Sequence, residues 1–570
     1  MSNKKKNLTP QKNKLVEETT YKKTVSTEVQ FADSIKENNL YYYIGLGLIL
    51  LLIYIIRQNF LDISFERDEG SYMYSGETIL HGAIPYKDIG SQRLDGVFYA
   101  YAVLVGIFGY TVKAMHLAFI LLNIGTAAML FFLVRKLTNN MAGIASALFF
   151  ALISMSSAAS GFTIQSEHIV AFLVAGAFLT FIYFFESKNI FLLILSGILF
   201  SFAFQIKQTS AFYGMLAGAI LVFKELSSDK KSIKHIIFYI LLFSLSVIIP
   251  LVIDLLIIYK RGAWADFHLW FFEIRKQYTS LITFDEGLKQ LGPTYNQITN
   301  NYQFFWTASY IGTVIVFFTS LPWWKKLLIA GLNFAGFLSI VPGYHFYGHY
   351  FLQWLPAIAV NGAIFIYCIQ DFLIRKVKIN MITLVVPLAL IALPAFSNLQ
   401  TLSEYYFSPN YDQILREVYG DNPFPESKVI ADKLNSIMKK EDKLAVFGTE
   451  IQMYVYTNKI SPSRFAGSGA LLEFPVAKSK DWQKEFISDV EKAAPKYLVF
   501  FAHPISWMVN PKSENLIFPW FDKFSREHYE MIGFADIYGT STRYVWKPDP
   551  AIQTDPPKSD YRVYIFERNQ

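Results

Sequence analysis

The sequence predicts a polytopic α-helical membrane protein of about eleven spans with a mixed α/β extracytoplasmic domain at its C-terminal end, and three observations carry that expectation. The 570 residues are 53% hydrophobic and only 17% charged, and they contain repeated apolar runs long enough to cross a hydrocarbon core of about 30 Å. The Lys and Arg residues behind the net charge of +7 fall in short loops between those runs and in the N-terminal tail. That placement marks cytoplasmic loops and argues against the nucleic-acid partner the same charge would suggest in a soluble protein. After Pro394 the composition changes to that of an ordinary soluble domain.

Taken in order, residues 1–38 are polar, with lysines at 4–6 and neither an apolar core nor a small-residue cleavage site. They are expected to form a disordered cytoplasmic tail rather than a signal peptide. A first span at 41–56 opens a membrane module over 39–397, and a polar and aromatic first outer loop follows at 57–110. Further spans are expected near 112–134, 142–160, 168–185, 190–205, 210–223, 236–258, 304–322, 327–342, 350–371 and 381–397. With the N-terminus inside, Arg135-Lys136, the loop 224–235, Lys325-Lys326 and the basic run 375–378 all fall on the cytoplasmic side. The stretch 94–108 is apolar but short; counted as a span it would invert every later loop against the charge bias, so it reads as a juxtamembrane or re-entrant helix. Residues 398–570 hold strand-like runs at 443–447, 497–501 and 562–566 among helical segments. An odd number of spans places this domain outside. The single cysteine, Cys368, excludes an intramolecular disulfide and a cysteine-based metal cluster.

The chemistry-bearing residues gather on the expected outer side. The first outer loop begins with Arg67, Asp68, Glu69, Gly70, Ser71, Tyr72, Met73 and Tyr74, and continues to Asp88 and Arg93. Adjacent carboxylates about ten residues beyond a span sit at the lipid–water boundary, where one can accept a hydroxyl proton while its neighbour orients an acceptor. Taken alone, the dipeptide is better explained as a solvated turn capping a juxtamembrane helix. Gln165, Ser166, Glu167 and His168, then Lys207, and then the run 343–350 with His345, His349 and Tyr350 reach the same boundary. Ionisable groups at span ends can snorkel, yet their grouping on one side favours a site. His345 and His349 have i, i+4 spacing but lie in a Gly-punctuated loop without a matching carboxylate, so no metal is expected.

The string from Arg67 to Asp88 resembles the first-loop motif of bacterial relatives of the protein O-mannosyltransferases and the lipid A aminoarabinose transferase, members of the GT-C glycosyltransferase class. Gln165 to His168 is similar to that family's second-loop acidic motif, the segment 204–208 to its lysine-bearing segment, and His349-Tyr350-Phe351-Leu352-Gln353 with Pro356 to its His-Tyr run. In the C-terminal domain Val446-Phe447-Gly448, Tyr454 and Ser463-Arg464-Phe465 also look like the family. One departure stands out: where many relatives carry Lys-x-Pro-Gly, this chain has Arg93-Leu94-Asp95-Gly96.

The resemblance implies a polyprenyl-phosphate sugar as donor, and the topology agrees, because nucleotide sugars are not expected outside the cytoplasm. The expected reaction is inverting transfer of a hexose or pentose to a hydroxyl acceptor on a glycolipid, polysaccharide or protein, in a bacterial cytoplasmic (inner) membrane. Asp68 or Glu69 would serve as base. Lys207, Arg93, His345 and His349 would receive the donor phosphate, and Glu167, His168, Tyr72, Tyr74 and Tyr350 would meet sugar or acceptor. A leaving phosphate is stable as an anion and needs no strong general acid, and no cofactor is expected because no motif demands a metal. Two other readings compete: a non-catalytic binder or flippase of lipid-linked sugars, which should show polar breaks near the bilayer midplane, and a membrane scaffold subunit.

Overall fold

The protein, seen in a computed structural model, is described over residues 39–227, 233–377 and 379–569. The N-terminal tail and the tip of the 224–235 loop lie outside those residues.

The membrane module opens with α1 (Asn39–Arg57), α2 (Arg67–Leu80), α3 (Gly96–Phe108), α4 (Val112–Leu137), α5 (Asn140–Ile153), α6 (Ser166–Ser187), α7 (Ile190–Ile206), α8 (Ala211–Leu226) and α9 (Ile233–Lys260). Then come α10 (Trp264–His268), a π-helical turn at Leu269–Ile274, α11 (Arg275–Thr279), α12 (Phe284–Thr299), α13 (Gln303–Ile315), α14 (Trp323–Ile340), α15 (Leu355–Lys376) and α16 (Asn380–Thr401). Seven helical segments are long and apolar enough to cross a membrane unaided, and Gly96–Phe108, Asn140–Ile153, Ile190–Ile206 and Gln303–Phe318 are shorter apolar helices. The 13 residues of α3 extend about 20 Å at 1.5 Å per residue, too short to cross. It lies instead against α2, where a Cβ at Gly76 would meet the Ala102 backbone nitrogen at 2.7 Å.

The basic loops gather at one end of the bundle. Lys325 Nζ donates to the carbonyls of Lys136 and Leu137 at 2.8 and 2.9 Å, Lys136 pairs with Glu186 at 2.7 Å, and Lys188 pairs with Glu225 at 2.9 Å. The Lys325 bonds satisfy carbonyls left free at the C-terminus of α4, and the opposite end holds the polar groups described below.

The C-terminal part begins with α17 (Ser403–Phe407), α18 (Tyr411–Tyr419) and α19 (Phe424–Ile437) and continues through β1 (Leu444–Phe447), α20 (Gln452–Thr457), α21 (Ala470–Glu473), α22 (Ser479–Ala493), β2 (Tyr497–Ala502), α23 (Ile517–His528), β3 (Tyr529–Tyr538), β4 (Ser541–Trp546), α24 (Ala551–Thr554) and β5 (Arg562–Arg568). The strands form one mixed sheet in the order β1-β2-β5-β3-β4. Only β1 and β2 are parallel, and the crossover such a pair requires is supplied by α20 to α22. That crossover also touches the membrane module. Gly70 of α2 packs against the backbone of Gln452, and Trp270 of the π-helical turn stacks on Trp482 of α22 with ring centroids 5.1 Å apart and planes 2° from parallel.

Candidate functional site

The polar end of the bundle is built around α2, whose start is fixed by its own sequence. Glu66 is the N-cap: its carboxylate accepts from the backbone of Glu69, and the Glu69 carboxylate accepts from the backbone of Glu66, both at 2.8 Å. This reciprocal capping satisfies two otherwise orphaned donors. The other Glu69 oxygen accepts from the Ile164 backbone at 2.5 Å, and Gln165 Nε2 donates to Glu66 at 3.0 Å. The two acidic segments at 66–69 and 164–167 are thereby strapped together. Burial, reinforced by neighbouring negative charge, pushes Glu66 up to about 7 and Glu69 well above the usual carboxylate range.

Asp68 leaves the same turn in another direction. Its side chain is 25% exposed and pairs with Arg93 at 3.0 Å, while the Tyr72 hydroxyl reaches it at 3.4 Å and the Arg93 guanidinium lies over the Tyr72 ring. Burial opposes the charge on Arg93, but the Asp68 carboxylate acting together with the hydroxyls of Tyr72, Tyr278 and Tyr350 more than offsets it and holds the guanidinium above the usual arginine range. Across the cleft, Lys207 follows the last turn of α7 and forms an ion pair with Glu167 at the start of α6. Lys207 Nζ also sits 3.7 Å above the Tyr350 ring. Ser166 donates to Glu167 at 2.9 Å, and His349 Nε2 is 4.0 Å from the same carboxylate.

The third wall is the strained loop after α14. Gly343, Tyr344 and Phe346 all have positive φ, which is costly for the two aromatic residues and is stored where the surrounding structure fixes it. The loop presents a run of stacked rings: Tyr278 on His345 at 4.6 Å, His345 on Tyr347 at 5.2 Å, and Tyr347 on His349 at 5.8 Å. Burial lowers the pKa of both histidines, favouring neutral rings.

The structure thus brings Asp68, Tyr72, Arg93, Glu167, Lys207, His345, His349 and Tyr350 to one cleft, with Gln208 and Arg275 on its wall. Three expected residues lie elsewhere. Glu69 is fully buried behind α2, His168 is buried edge-on to Phe119, and Tyr74 faces the C-terminal domain, where its hydroxyl accepts from the Ser461 backbone at 3.1 Å. Arg275 and Tyr278 were not singled out from sequence. Arg275 donates to Gln208 at 2.9 Å and to the Gln92 carbonyl at 3.2 Å, and the Tyr278 and Tyr350 hydroxyls meet at 3.3 Å. A basic pair, Arg275-Lys276, in a loop expected to lie outside runs against the charge bias of the other loops and was the available signal. Among the described residues no group of three or more His, Cys, Asp or Glu side chains could hold a metal ion.

Residues 96–253 match the family of dolichyl-phosphate-mannose-protein mannosyltransferases. The structure is similar to that of ArnT from Cupriavidus metallidurans bound to undecaprenyl phosphate, at 12% identity over 93% of this chain and 98% of that one, with a TM-score of 0.54. The chain has the GT-C glycosyltransferase fold. ArnT from the same organism in its apo state gives 13% identity, 92% and 98% coverage, and a TM-score of 0.52. The archaeal oligosaccharyltransferase AglB from Archaeoglobus fulgidus, in complex with an inhibitory peptide and a dolichol-phosphate, gives 12% identity, 91% and 75% coverage, and a TM-score of 0.48. No curated protein sequence matches the chain significantly. The match to the mannosyltransferase family runs from α3 into α9, so on this GT-C fold it takes in Glu167 and Lys207 but ends before the His345–His349 loop.

Proposed function

We propose that this protein is a glycosyltransferase that moves a sugar from a polyprenyl-phosphate donor to a hydroxyl acceptor at the non-cytoplasmic face of a bacterial cytoplasmic membrane. The observation that carries this reading is the charge arrangement in the cleft. Three basic side chains, Arg93, Lys207 and Arg275, face two carboxylates, Asp68 and Glu167, an excess of basic groups that suits a phosphate at the lipid boundary. Of these two carboxylates Asp68 is the more exposed, at 25% against 1% for Glu167, and we assign the base to it.

In the proposed reaction the acceptor hydroxyl gives its proton to an Asp68 oxygen as its own oxygen attacks the anomeric carbon. The bond from that carbon to the phosphate oxygen breaks with inversion, and the electron pair leaves with the polyprenyl phosphate. Lys207 and Arg275 stabilise the charge that develops on the leaving group, where preorganised donors act most strongly. Neutral His349 supplies a hydrogen bond, and Glu167 fixes Lys207. Arg93 orients Asp68 through their ion pair. No strong general acid enters the proposed reaction, because the leaving phosphate is stable without protonation.

The test is transfer from a panel of labelled polyprenyl-phosphate sugars to endogenous lipids, surface polymers and proteins, in membranes carrying the native chain or Asp68→Asn at equal abundance. Loss of transfer by roughly 10²- to 10⁴-fold, the range for removing a positioned base, is expected. Transfer that survives in Asp68→Asn removes Asp68 from the chemistry, and native membranes inactive with every donor overturn the enzyme reading.

A further inference from the structure

Two side chains in the cleft wall, Gln208 and His345, hold polar atoms that the proposed reaction does not use. Gln208 follows Lys207 in the turn between α7 and α8, and Arg275 fixes its orientation. A guanidinium can only donate, so the atom that meets Arg275 at 2.9 Å is the amide oxygen. The same guanidinium is held from behind by the Gln92 carbonyl at 3.2 Å. The amide Nε2, with two hydrogens to give, is therefore turned away from Arg275, and it is buried without a hydrogen-bond partner among the described residues.

His345 is 2% exposed, and its ring stacks on Tyr278 at 4.6 Å and on Tyr347 at 5.2 Å, which leaves the ring edge to meet a ligand. A Cβ at Gly343 would stand 3.3 Å from Cδ2 and 3.9 Å from Nε2, so glycine at that position leaves this edge uncovered. The Tyr278 backbone acts on the charge of the ring, yet neither imidazole nitrogen holds a hydrogen bond among the described residues. Buried polar atoms without partners lose solvation and gain nothing in return, a deficit that a ligand in the cleft would remove. The short helix α11 orders both side chains at once, because Arg275 orients the Gln208 amide and Tyr278 stacks on His345.

A neutral imidazole carries one donor and one acceptor nitrogen. An ionised phosphate oxygen only accepts, whereas a hydroxyl does both, so the His345 edge matches a hydroxyl, and the Gln208 amide adds a donor for an oxygen. Both carboxylates lining the cleft are already paired, Asp68 with Arg93 at 3.0 Å and Glu167 with Lys207, which leaves neither free for a sugar ammonium. We propose that Gln208 and His345 form the subsite that reads hydroxyls of the transferred sugar, and that this sugar is an uncharged one rather than an amino sugar. This rests on the function proposed above and adds the class of sugar.

The experiment measures binding to the purified full-length chain of labelled undecaprenyl phosphate, bare or carrying mannose, glucose, galactose, arabinose or aminoarabinose, together with transfer of each sugar in membranes. The native chain is expected to bind and transfer one of the hydroxyl-only sugars about tenfold better than aminoarabinose, a margin of one unpaired charge or hydrogen bond. His345→Phe keeps the stacked ring and removes both nitrogens, and Gln208→Met keeps the length and removes the amide. Each should weaken binding of the preferred sugar donor by about fivefold or more, the loss of a neutral hydrogen bond, with bare undecaprenyl phosphate bound within about twofold of native. His345→Asn, which returns one donor and one acceptor, should recover part of the loss. Sugar donor and bare carrier weakened alike, or neither weakened, overturns the subsite, and a preference for aminoarabinose overturns the sugar class. Native protein that discriminates between sugar donors in binding but transfers none sinks the proposed function and leaves the subsite standing, and native protein that binds no sugar donor sinks both.

Discussion

Asp68 and Glu69 are neighbours whose side chains diverge by about 100° around the first turn of α2. One faces a cleft and the other faces the protein interior. Glu69 receives a backbone N–H on each oxygen, from Glu66 and from Ile164. Glu69→Gln keeps one acceptor and turns an amide NH₂ on the other donor, leaving that donor unsatisfied, at a cost of about 1–3 kcal/mol. Thermal unfolding of the purified protein should register that loss, whereas Asp68→Asn should unfold like the native chain. Of the two readings of the dipeptide drawn from sequence, capping falls on Glu69, while the base is what we propose for Asp68. Composition could not separate them, because the deciding partner, Ile164, lies 95 residues away. The carboxyls with raised pKa also set a pH dependence. Glu66 and Glu473 at about 7 and Asp95 at about 8 bind protons more tightly folded than unfolded. Their contribution is therefore complete below the ordinary carboxylate pKa and is lost as pH rises through 7 to 8. Unfolding temperature should fall between pH 5 and pH 8, and Glu66→Gln should flatten that fall; an unchanged slope would count against Glu66 as a source.

At the scale of elements, α2 is held between two partners. Arg67 reaches the C-terminal domain through Thr449, Asn422 at 3.2 Å and the buried Glu450 at 3.6 Å, while Gly70 lets the helix lie directly on Gln452. A methyl at Gly70 would stand 2.6 Å from the Gln452 Cβ and 2.8 Å from its backbone nitrogen, atoms with little freedom to yield. Gly70→Ala should destabilise the protein by about 1–3 kcal/mol, the usual range for overpacking, and lower transfer by shifting Asp68. A variant with native stability and native transfer would show that the contact is loose. The long helices were legible because apolar runs of span length have few alternative folds. The outer segment between α9 and α13 was not, although Thr283 and Glu286 spell a capping box at the start of α12. The π-helical turn ahead of Arg275 has no sequence signature, and such turns often mark functional positions. In the sheet, β1, β2 and β5 fall on the expected strand-like runs, but β3 and β4 were not marked. The insertion of β5 between β2 and β3 depends on long-range pairing that local pattern does not encode.

Across the whole molecule, the basic loops and the cleft occupy opposite ends of the helical bundle, so the positive-inside bias orients both at once. Because Cys368 is buried and the chain has no other cysteine, single-cysteine variants can report that orientation. Lys523→Cys, at a side chain 75% exposed in the C-terminal domain, should react with a membrane-impermeant maleimide on intact cells. Lys376→Cys, exposed at the end of α15, should react only after permeabilisation. The reverse pattern would invert the topology and remove the reason for a lipid-delivered donor.

The stacked indoles of Trp270 and Trp482 join the segment that carries Arg275 to the C-terminal domain. Two near-parallel rings 5.1 Å apart absorb ultraviolet light as a coupled pair rather than as separate chromophores. Their circular dichroism band is a built-in gauge of whether the C-terminal domain is seated on the membrane module, readable on the native chain with no label and no substrate.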